Sequence, residues 1–301
     1  ILNRVERGGT YFAVAKVASP LEPQAFRTRW GSAIMHVLAW ALWLVYVFPV
    51  LCAITFSFVD ASAVTSGSIG PGDLTLEHWI TVLTSADALS PFIVSVVYSA
   101  VASIVVVLGL VLVARSITRW RGWLSSALEY VLHIPWILPT ILIALGLVIT
   151  FDRPQWLVGG QVLQGTIVIL GIAYVIVKIP FTLRLLKAAF AGVPDELEDA
   201  ARILGAGQLT TIRRVVVPII APTMAAVTAL NFTSLVDDYD AAVFLYHPLA
   251  EPLGIAIRRA TEGEANVQAM SITFVYTVLL MIVQGLVLWL VYGRGLRGRR
   301  G

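Results

Sequence analysis

The chain has 301 residues, of which 58% are hydrophobic and only 13% are charged, and its mean hydropathy is +0.86. Soluble domains carry about 25% charged residues, so this composition excludes an ordinary soluble protein and indicates a membrane protein. Acidic and basic residues nearly balance at a formal charge of +3, and no nucleic-acid partner is expected. A single cysteine, Cys52, excludes a disulfide framework and a cysteine-based metal site.

The N-terminal region, residues 1–32, is neither apolar nor signal-like. It contains five lysine or arginine residues together with Pro20 and Pro23. We expect it to be a cytoplasmic leader, or a linker if the chain was cut from a longer polypeptide.

Six segments are long and apolar enough to cross a bilayer, which takes about 20 residues of helix for about 30 Å of hydrocarbon. Helices are the only open-ended structures that satisfy their backbone hydrogen bonds there. The sequence therefore predicts an all-α membrane protein with six transmembrane helices, at 33–58, 91–114, 124–149, 163–183, 217–237 and 269–292. Pro135, Pro139 and Gly146 predict an interrupted third segment, of a kind that neighbouring helices support and that often lines a cavity.

The basic residues fall on one side of these segments. Lysine and arginine number five in residues 1–32, three in 115–123, six in 178–217 and four in 293–301. The other connections, 59–90, 150–162 and 238–268, hold none, one and two. The positive-inside rule therefore predicts cytoplasmic termini, N-in and C-in, and a cytoplasmic connection between the fourth and fifth spans. The predicted parts are the leader 1–32, a transmembrane domain 33–293 with a cytoplasmic loop at 184–217, and a basic cytoplasmic tail 294–301.

Residues 194–217 form the one strongly charged amphipathic stretch between two apolar segments. Pro194 suits a helix start, acidic residues in the first turns complement the helix dipole, and Gly205 suits a left-handed helix end. The apolar faces of the two predicted helices carry Leu197, Ala200, Ala201 and Leu204 in the first and Leu209, Ile212 and Val216 in the second. Composition leaves two interpretations open, a helix pair on the lipid surface or a docking surface for a protein. The acidic first helix argues against anionic lipid.

The order of residues in this stretch resembles the signature loop of ABC importer permeases. Asp199-Ala200-Ala201 is followed by Gly205-Ala206 and then by Val215-x-Val217-Pro218, where the family loop reads acidic-Ala-Ala-x-x-x-Gly and ends in hydrophobic-x-Leu-Pro. Leu209 and Ile212 stand where bulky aromatic residues are usual, and Asp199 and Val217 replace the commoner Glu and Leu. The wider resemblance covers about residues 90–295 and is to the core of a type I importer permease.

This resemblance implies a multi-pass permease of the bacterial inner membrane that has no catalytic residues of its own. A dimer of cytoplasmic ATP-binding cassette ATPase subunits would hold the ATP and magnesium, so no cofactor is expected on the chain itself. The other implied partners are a second permease half or subunit, an extracytoplasmic substrate-binding protein and membrane lipid. The implied ATPase-coupling residues are Glu198, Asp199, Ala200, Ala201, Leu204, Gly205, Ala206, Leu209 and Ile212.

The transported substrate is expected from a narrower resemblance. The order Leu245-Tyr246-His247-Pro248, then an apolar segment from Leu253, resembles ferric-iron-type importer permeases, which are commonly one polypeptide with two permease halves. We expect ferric iron as the substrate and this chain as the C-terminal half, with a polyamine, a phosphonate, sulfate or a sugar as alternatives. Carboxylates at Asp237, Asp238 and Asp240 would attract a trivalent or polyamine cation, or would be solvated loop acids near the docking site of a binding protein.

A polar stripe on the fifth span predicts the translocation path. Asn231, Ser234 and Asp238 fall at i, i+3 and i+7, beside Asp237, and polar side chains in a membrane face a bundle or a cavity. Hydrogen bonding between helices is the other interpretation of this stripe. A secondary transporter, the competing class, would need an ionisable group at mid-span. The predicted fourth span places Lys178 near its inner end, so none is expected there. A scaffold membrane protein, a third class, would need no coupling loop.

Overall fold

The structure is a computed structural model, and it describes residues 29–120, 122–261 and 267–297. The described part is helical and contains three isolated β-bridges but no β-strand. The α-helices are α1 (Arg29–Phe56), α2 (Ala61–Ser66), α3 (Glu77–Thr84), α4 (Ala86–Arg119), α5 (Trp123–Ile137), α6 (Thr140–Phe151), α7 (Ile167–Ala191), α8 (Asp195–Ile203), α9 (Gln208–Thr211), α10 (Val217–Leu235), α11 (Ala242–Leu245), α12 (Leu253–Thr261) and α13 (Val267–Arg297). A π-helical turn, Ile212–Val216, joins α9 to α10.

The chain divides into two compact units, residues 1–51 and 52–301. The described part of the first unit is α1 up to Leu51, an apolar helix in which the rings of Trp40 and Trp43 meet edge to face at 5.4 Å. The second unit holds every other helix. Most of the predicted leader, residues 1–28, lies outside the described residues, as do positions 298–301 of the predicted tail. Residues 29–32 and 294–297 belong to helices instead.

Five helices of the described part are long and apolar enough to span a membrane, and a bent pair would make six. They are Trp30–Phe56, Ala86–Arg119, Ile167–Ala191, Gln208–Leu235 and Ala269–Gly293, which lie on five of the six predicted segments. The all-α membrane fold is therefore confirmed. Several predicted bounds differ from the helix ends, because the second span runs from Ala86 to Arg119 and the fifth begins at Gln208. The fourth runs on to Ala191, so positions 184–191 are helix rather than loop. The N-in and C-in orientation stays a prediction.

The third predicted segment is interrupted, as its prolines indicate. The axes of α5 and α6 differ by 105° across Leu138 and Pro139. A residue before proline is forced out of the helical region by the proline ring, and Leu138 is extended at φ −88° and ψ 133°. Pro139 is itself extended and caps α6 without a side-chain hydrogen bond. Pro135 lies inside α5 and does not end it.

The core of the second unit is built around α4 and α7, which pack along each other, with α10 against both. Three apolar clusters fill it. The first joins α4 and α7 to the π-turn and α10, the second joins α4 and α7 to α6 and α11, and the third joins α10 and α12 to α3 and α13. Small buried residues such as Ala114 and Ala173 let the helices approach closely. This core holds the two polar regions described next, at opposite ends of α10.

Candidate functional site

The hairpin, residues 194–217, adopts the predicted helix and turn. Pro194 precedes α8, and three acidic residues occupy the first turn of that helix. Gly205 has φ +80°, which an L side chain rarely adopts. Its amide donates to the Arg202 carbonyl at 2.9 Å, and the Ala206 amide donates to the Ala201 carbonyl at 2.9 Å. This pair of bonds is the Schellman motif that closes a helix with glycine.

Buried ion pairs fasten the hairpin to α4. Glu198, only 5% exposed, accepts from Arg115 and from Arg119, which lie at the end of α4. Arg119 also pairs with Asp195 at 3.3 Å. The Arg115 guanidinium lies 5.7 Å from the centroid of the Phe190 ring on α7. The sequence interpretation gave Glu198 only a place in a loop motif, since nothing along the chain indicates which cations it meets 79 and 83 residues away.

The predicted apolar face of α8 is only partly buried. Ala201 is buried with Glu198 on the side toward α4, whereas Leu197 and Ala200 are exposed. The ion pairs turn the Glu198 and Ala201 side of α8 inward and leave Leu197, Ala200 and Leu204 of the predicted apolar face exposed.

An exposed apolar tip lies at the turn of the hairpin. Its residues are Ile203, Leu204 and Leu209, which are 86%, 85% and 73% exposed. The motif pointed to Leu204 and Leu209 but not to Ile203. Of the remaining predicted coupling residues, Asp199 and Gly205 are exposed, and Ala206 and Ile212 are half-buried. Adjacent exposed apolar side chains rimmed by charge are typical of an interaction surface.

The stripe on α10 is divided in two by its contacts. Asn231 is fully buried and donates from Nδ2 to the Thr182 hydroxyl on α7 at 2.8 Å. It therefore makes the hydrogen bond between helices that was the alternative interpretation of the stripe. Ser234 is exposed, and its hydroxyl accepts from the ammonium of Lys178 at 2.6 Å.

Lys178 lies near the middle of α7, which runs from Ile167 to Ala191. The apolar run ends near position 183, whereas the helix continues for two more turns of mixed polarity. The middle of the helix is therefore not the middle of its apolar part, and the depth of Lys178 in the membrane stays a prediction.

The two acids of the predicted path lie beyond the end of α10 at Leu235. Asp237 is exposed and Asp238 is half-buried. Burial raises the pKa of Asp238 above its ordinary value, and the hydrogen bond from the Ala241 amide, 3.1 Å long, opposes that rise. Gly254 at the start of α12 passes so close that an added Cβ would lie 2.8 Å from the Asp238 carbonyl oxygen.

Metal ligands do not come together at these acids. Among the described residues, no three histidine, cysteine, aspartate or glutamate side chains form a group that could hold a metal ion. The second unit therefore offers two polar regions that can bind a partner or a solute through charge and hydrogen bonds. One is the hairpin before α10, and the other is Lys178 with its neighbours near the end of α10.

Residues 106–293 match the family described as "Binding-protein-dependent transport system inner membrane component". The chain is 36% identical over 277 residues to y4fN of Sinorhizobium fredii, named as an ABC transporter permease, covering 92% of this chain and 48% of that protein. The chain thus spans about half the length of this relative. PhnV of Salmonella paratyphi A, named for 2-aminoethylphosphonate transport, is 25% identical and covers 84% of this chain and 93% of itself. The sulfate transport system permease protein CysT of Salmonella typhimurium is 30% identical over 56% of this chain and 62% of itself.

Solved structures share the fold. A bacterial ABC transporter that imports the polysaccharide alginate matches with a TM-score of 0.69 at 14% identity, covering 89% of this chain and 96% of that chain. The methionine ABC transporter MetNI, in an inward-facing conformation, matches with a TM-score of 0.52 at 19% identity, covering 71% of this chain and 98% of that chain. At these identities the likeness concerns the arrangement of the helices.

Proposed function

This chain belongs to the family of binding-protein-dependent transport system inner membrane components, the type I ABC importer permeases, and we propose that it is the membrane-spanning subunit of an ATP-driven importer. It is a multi-pass protein of the bacterial inner membrane and a transport subunit rather than a catalytic one. The observation that carries the proposal is the hairpin, with its exposed apolar tip and its buried ion pairs to α4.

The hairpin is the element that would couple transport to ATP hydrolysis. A dimer of cytoplasmic ATPase subunits, which bind the ATP and magnesium, would receive the tip residues Ile203, Leu204 and Leu209 in an apolar groove. Movement of the ATPase would then pass through Glu198 to Arg115 on α4. Such closure can change the state of the spans only if the docking energy differs between the two states. The buried ion pairs of Glu198 connect α8 to the end of α4, so a displacement of α8 would be passed to α4.

Two further partners complete the importer. A second permease half or subunit would cover part of the apolar surface, and an open groove of about 680 Å³ between α4 and α7, lined by Ile93, Val97 and Val168 among others, offers such a surface beside the membrane lipid. An extracytoplasmic binding protein would deliver the solute to the end opposite the hairpin. The charge asymmetry of the connections supports this orientation.

Ferric iron is one candidate substrate, supported by the acidic residues Asp237, Asp238 and Asp240 at the end of α10. An oxyanion-containing solute is the other, supported by relatives named for 2-aminoethylphosphonate and sulfate transport. The cation Lys178 also supports it, because its ammonium donates to Ser234, which precedes Asp237 and Asp238 by three and four residues.

Co-purification tests the proposed function. The permease is tagged in its native host and isolated in mild detergent, both as wild type and as a variant with Leu204→Asp and Leu209→Asp, and co-purifying ATPase is measured. Charged side chains cannot enter an apolar groove without loss of their hydration, so the variant should lose the ATPase.

The matched control is Leu249→Asp, an equally exposed leucine in the connection between α11 and α12. It should keep the ATPase. A wild-type permease that brings down no ATPase, or a tip variant that retains all of it, would contradict the proposal.

A further inference from the structure

A lysine lies within a candidate membrane span. Lys178 belongs to α7, which is long and apolar enough to cross a bilayer, and it falls inside the apolar part of that helix. A charged side chain within a span is costly in lipid and almost always faces the interior of a bundle or a water-filled cavity.

Lys178 has a hydroxyl group and two carboxylates as polar neighbours. Its ammonium donates to the Ser234 hydroxyl at 2.6 Å and is attracted by the carboxylates of Asp238 and Asp237. Tyr174, one turn earlier on α7, also interacts with Asp238. Lys178, Ser234, Asp237 and Asp238 are called the Lys178 cluster below. Lys178 and Asp238 are half-buried, and the other two are exposed.

The exposure of this cluster points to water. The fold of this chain leaves the ammonium, the two carboxylates and the hydroxyl partly exposed, and hydrocarbon offers such groups no hydrogen-bond partners. The open side of the cluster must therefore border an aqueous cavity, which in an importer is the translocation path. The buried Asn231, one turn before Ser234, fixes α10 against α7 through Thr182 and so holds the two sides of the cluster in place.

We propose that the Lys178 cluster is a solute-binding site on the translocation path, and that it selects a small zwitterion with an oxyanion at one end and an amine at the other. The inference rests on the proposed function and names the substrate class of that same path. The ammonium of Lys178 binds a phosphonate or sulfonate oxygen by a charge-assisted hydrogen bond, as lysine does with phosphates. Asp237 and Asp238 receive the amine.

A ferric ion would meet the opposite situation. Lys178 places a positive charge near the carboxylates that would have to hold the metal, and this charge would repel a ferric ion. The same arrangement suits a solute that carries both charges. When it binds, the attraction between Lys178 and the acids is replaced by two attractions, one between Lys178 and the oxyanion and one between the acids and the amine. The relative named for 2-aminoethylphosphonate transport carries the name of such a solute.

Uptake by cells that express the complete transport system tests this inference. The probes are radiolabelled 2-aminoethylphosphonate, sulfate and ferric iron, and the variants are Lys178→Gln, Lys178→Arg and Asp238→Asn. Wild type should take up 2-aminoethylphosphonate in preference to the other two. Lys178→Gln should reduce that uptake about tenfold or more, since an unpaired partner charge is left in a partly buried site. Lys178→Arg should restore part of it.

The control variant is Lys187→Gln, which removes a cation from the same helix, where it pairs with Glu129. It should keep the preference between probes. Asp238→Asn should raise the KM for 2-aminoethylphosphonate more than that for sulfate, which has no amine. A purely structural role would lower uptake of all probes equally and would leave this ratio unchanged.

Three results would overturn the inference. They are uptake of ferric iron alone, unchanged uptake of 2-aminoethylphosphonate in Lys178→Gln, and a preference for sulfate that ignores Asp238. Each variant is also tested for co-purifying ATPase. Retained ATPase with the wrong substrate pattern would refute the substrate class only, whereas loss of ATPase from wild type would refute the proposed function.

Discussion

Gly205 shows how one residue fixes the shape of the hairpin. Its φ of +80° is outside the range of ordinary L residues, although nothing lies within 4 Å of where a Cβ would be. The constraint is therefore on the backbone alone. A left-handed conformation costs a residue with a Cβ about 1–2 kcal/mol, and asparagine tolerates it better than others.

We predict that Gly205→Val will reduce ATP-driven uptake severely while the chain still inserts in the membrane. The turn would open and displace the tip residues Leu204 and Leu209. Gly205→Asn is the matched variant and should keep most of the uptake, since asparagine is the common substitute at this helix-end position. Uptake rates normalised to the amount of permease in the membrane measure the effect. Equal rates in Gly205→Val and wild type would refute the role of the turn.

The ion pairs of Glu198 join two elements, α8 and α4. A buried carboxylate with two guanidinium partners stabilises little compared with an apolar contact, but removing one partner leaves buried charge without compensation. Neighbouring Asp199 is different, because its pair with Arg202 is about two-thirds exposed and 3.3 Å long. Exposed pairs contribute about 0–1 kcal/mol.

We predict that Glu198→Gln will destabilise the protein by about 3 kcal/mol and lower its thermal unfolding midpoint in detergent. Asp199→Asn makes the same chemical change one residue later and should shift the midpoint little. Both variants remove one negative charge, so the difference between their unfolding midpoints measures the effect of burying the ion pairs. Similar midpoints for both would show that the Glu198 pairs do not hold the hairpin on α4.

The whole molecule has a predicted orientation that labelling can measure. In a Cys52→Ala background, single cysteines replace Leu209 in the hairpin tip and Leu249 in the connection between α11 and α12. A membrane-impermeant maleimide should label position 249 from the outside of the inner membrane and position 209 only after permeabilisation. The expectation follows from the excess of lysine and arginine around the hairpin. The opposite labelling pattern would invert the proposed topology.

Much of the fold was predictable because spans depend on local composition. Five predicted segments became single helices, and Pro139 placed the break of the remaining one, since both features require only neighbouring residues. The ends of α4 and α7 were not predictable from hydropathy, because these helices continue through charged turns stabilised by distant contacts. Ser234, Asp237 and Asp238 were predicted as part of the path, whereas the contact of Ser234 with Lys178 was missed because it joins residues 56 positions apart.

The membrane class, the number of apolar segments and the turn at Gly205 can all be read from the amino-acid sequence. These follow from side-chain hydropathy and from a backbone conformation that favours glycine, which act at short range. The pairing of Glu198 with Arg115 and Arg119, and the contact of Lys178 with Ser234, are visible only once the helices are packed together. Long-range pairing of charges depends on which helices pack together, and no local pattern of residues specifies it.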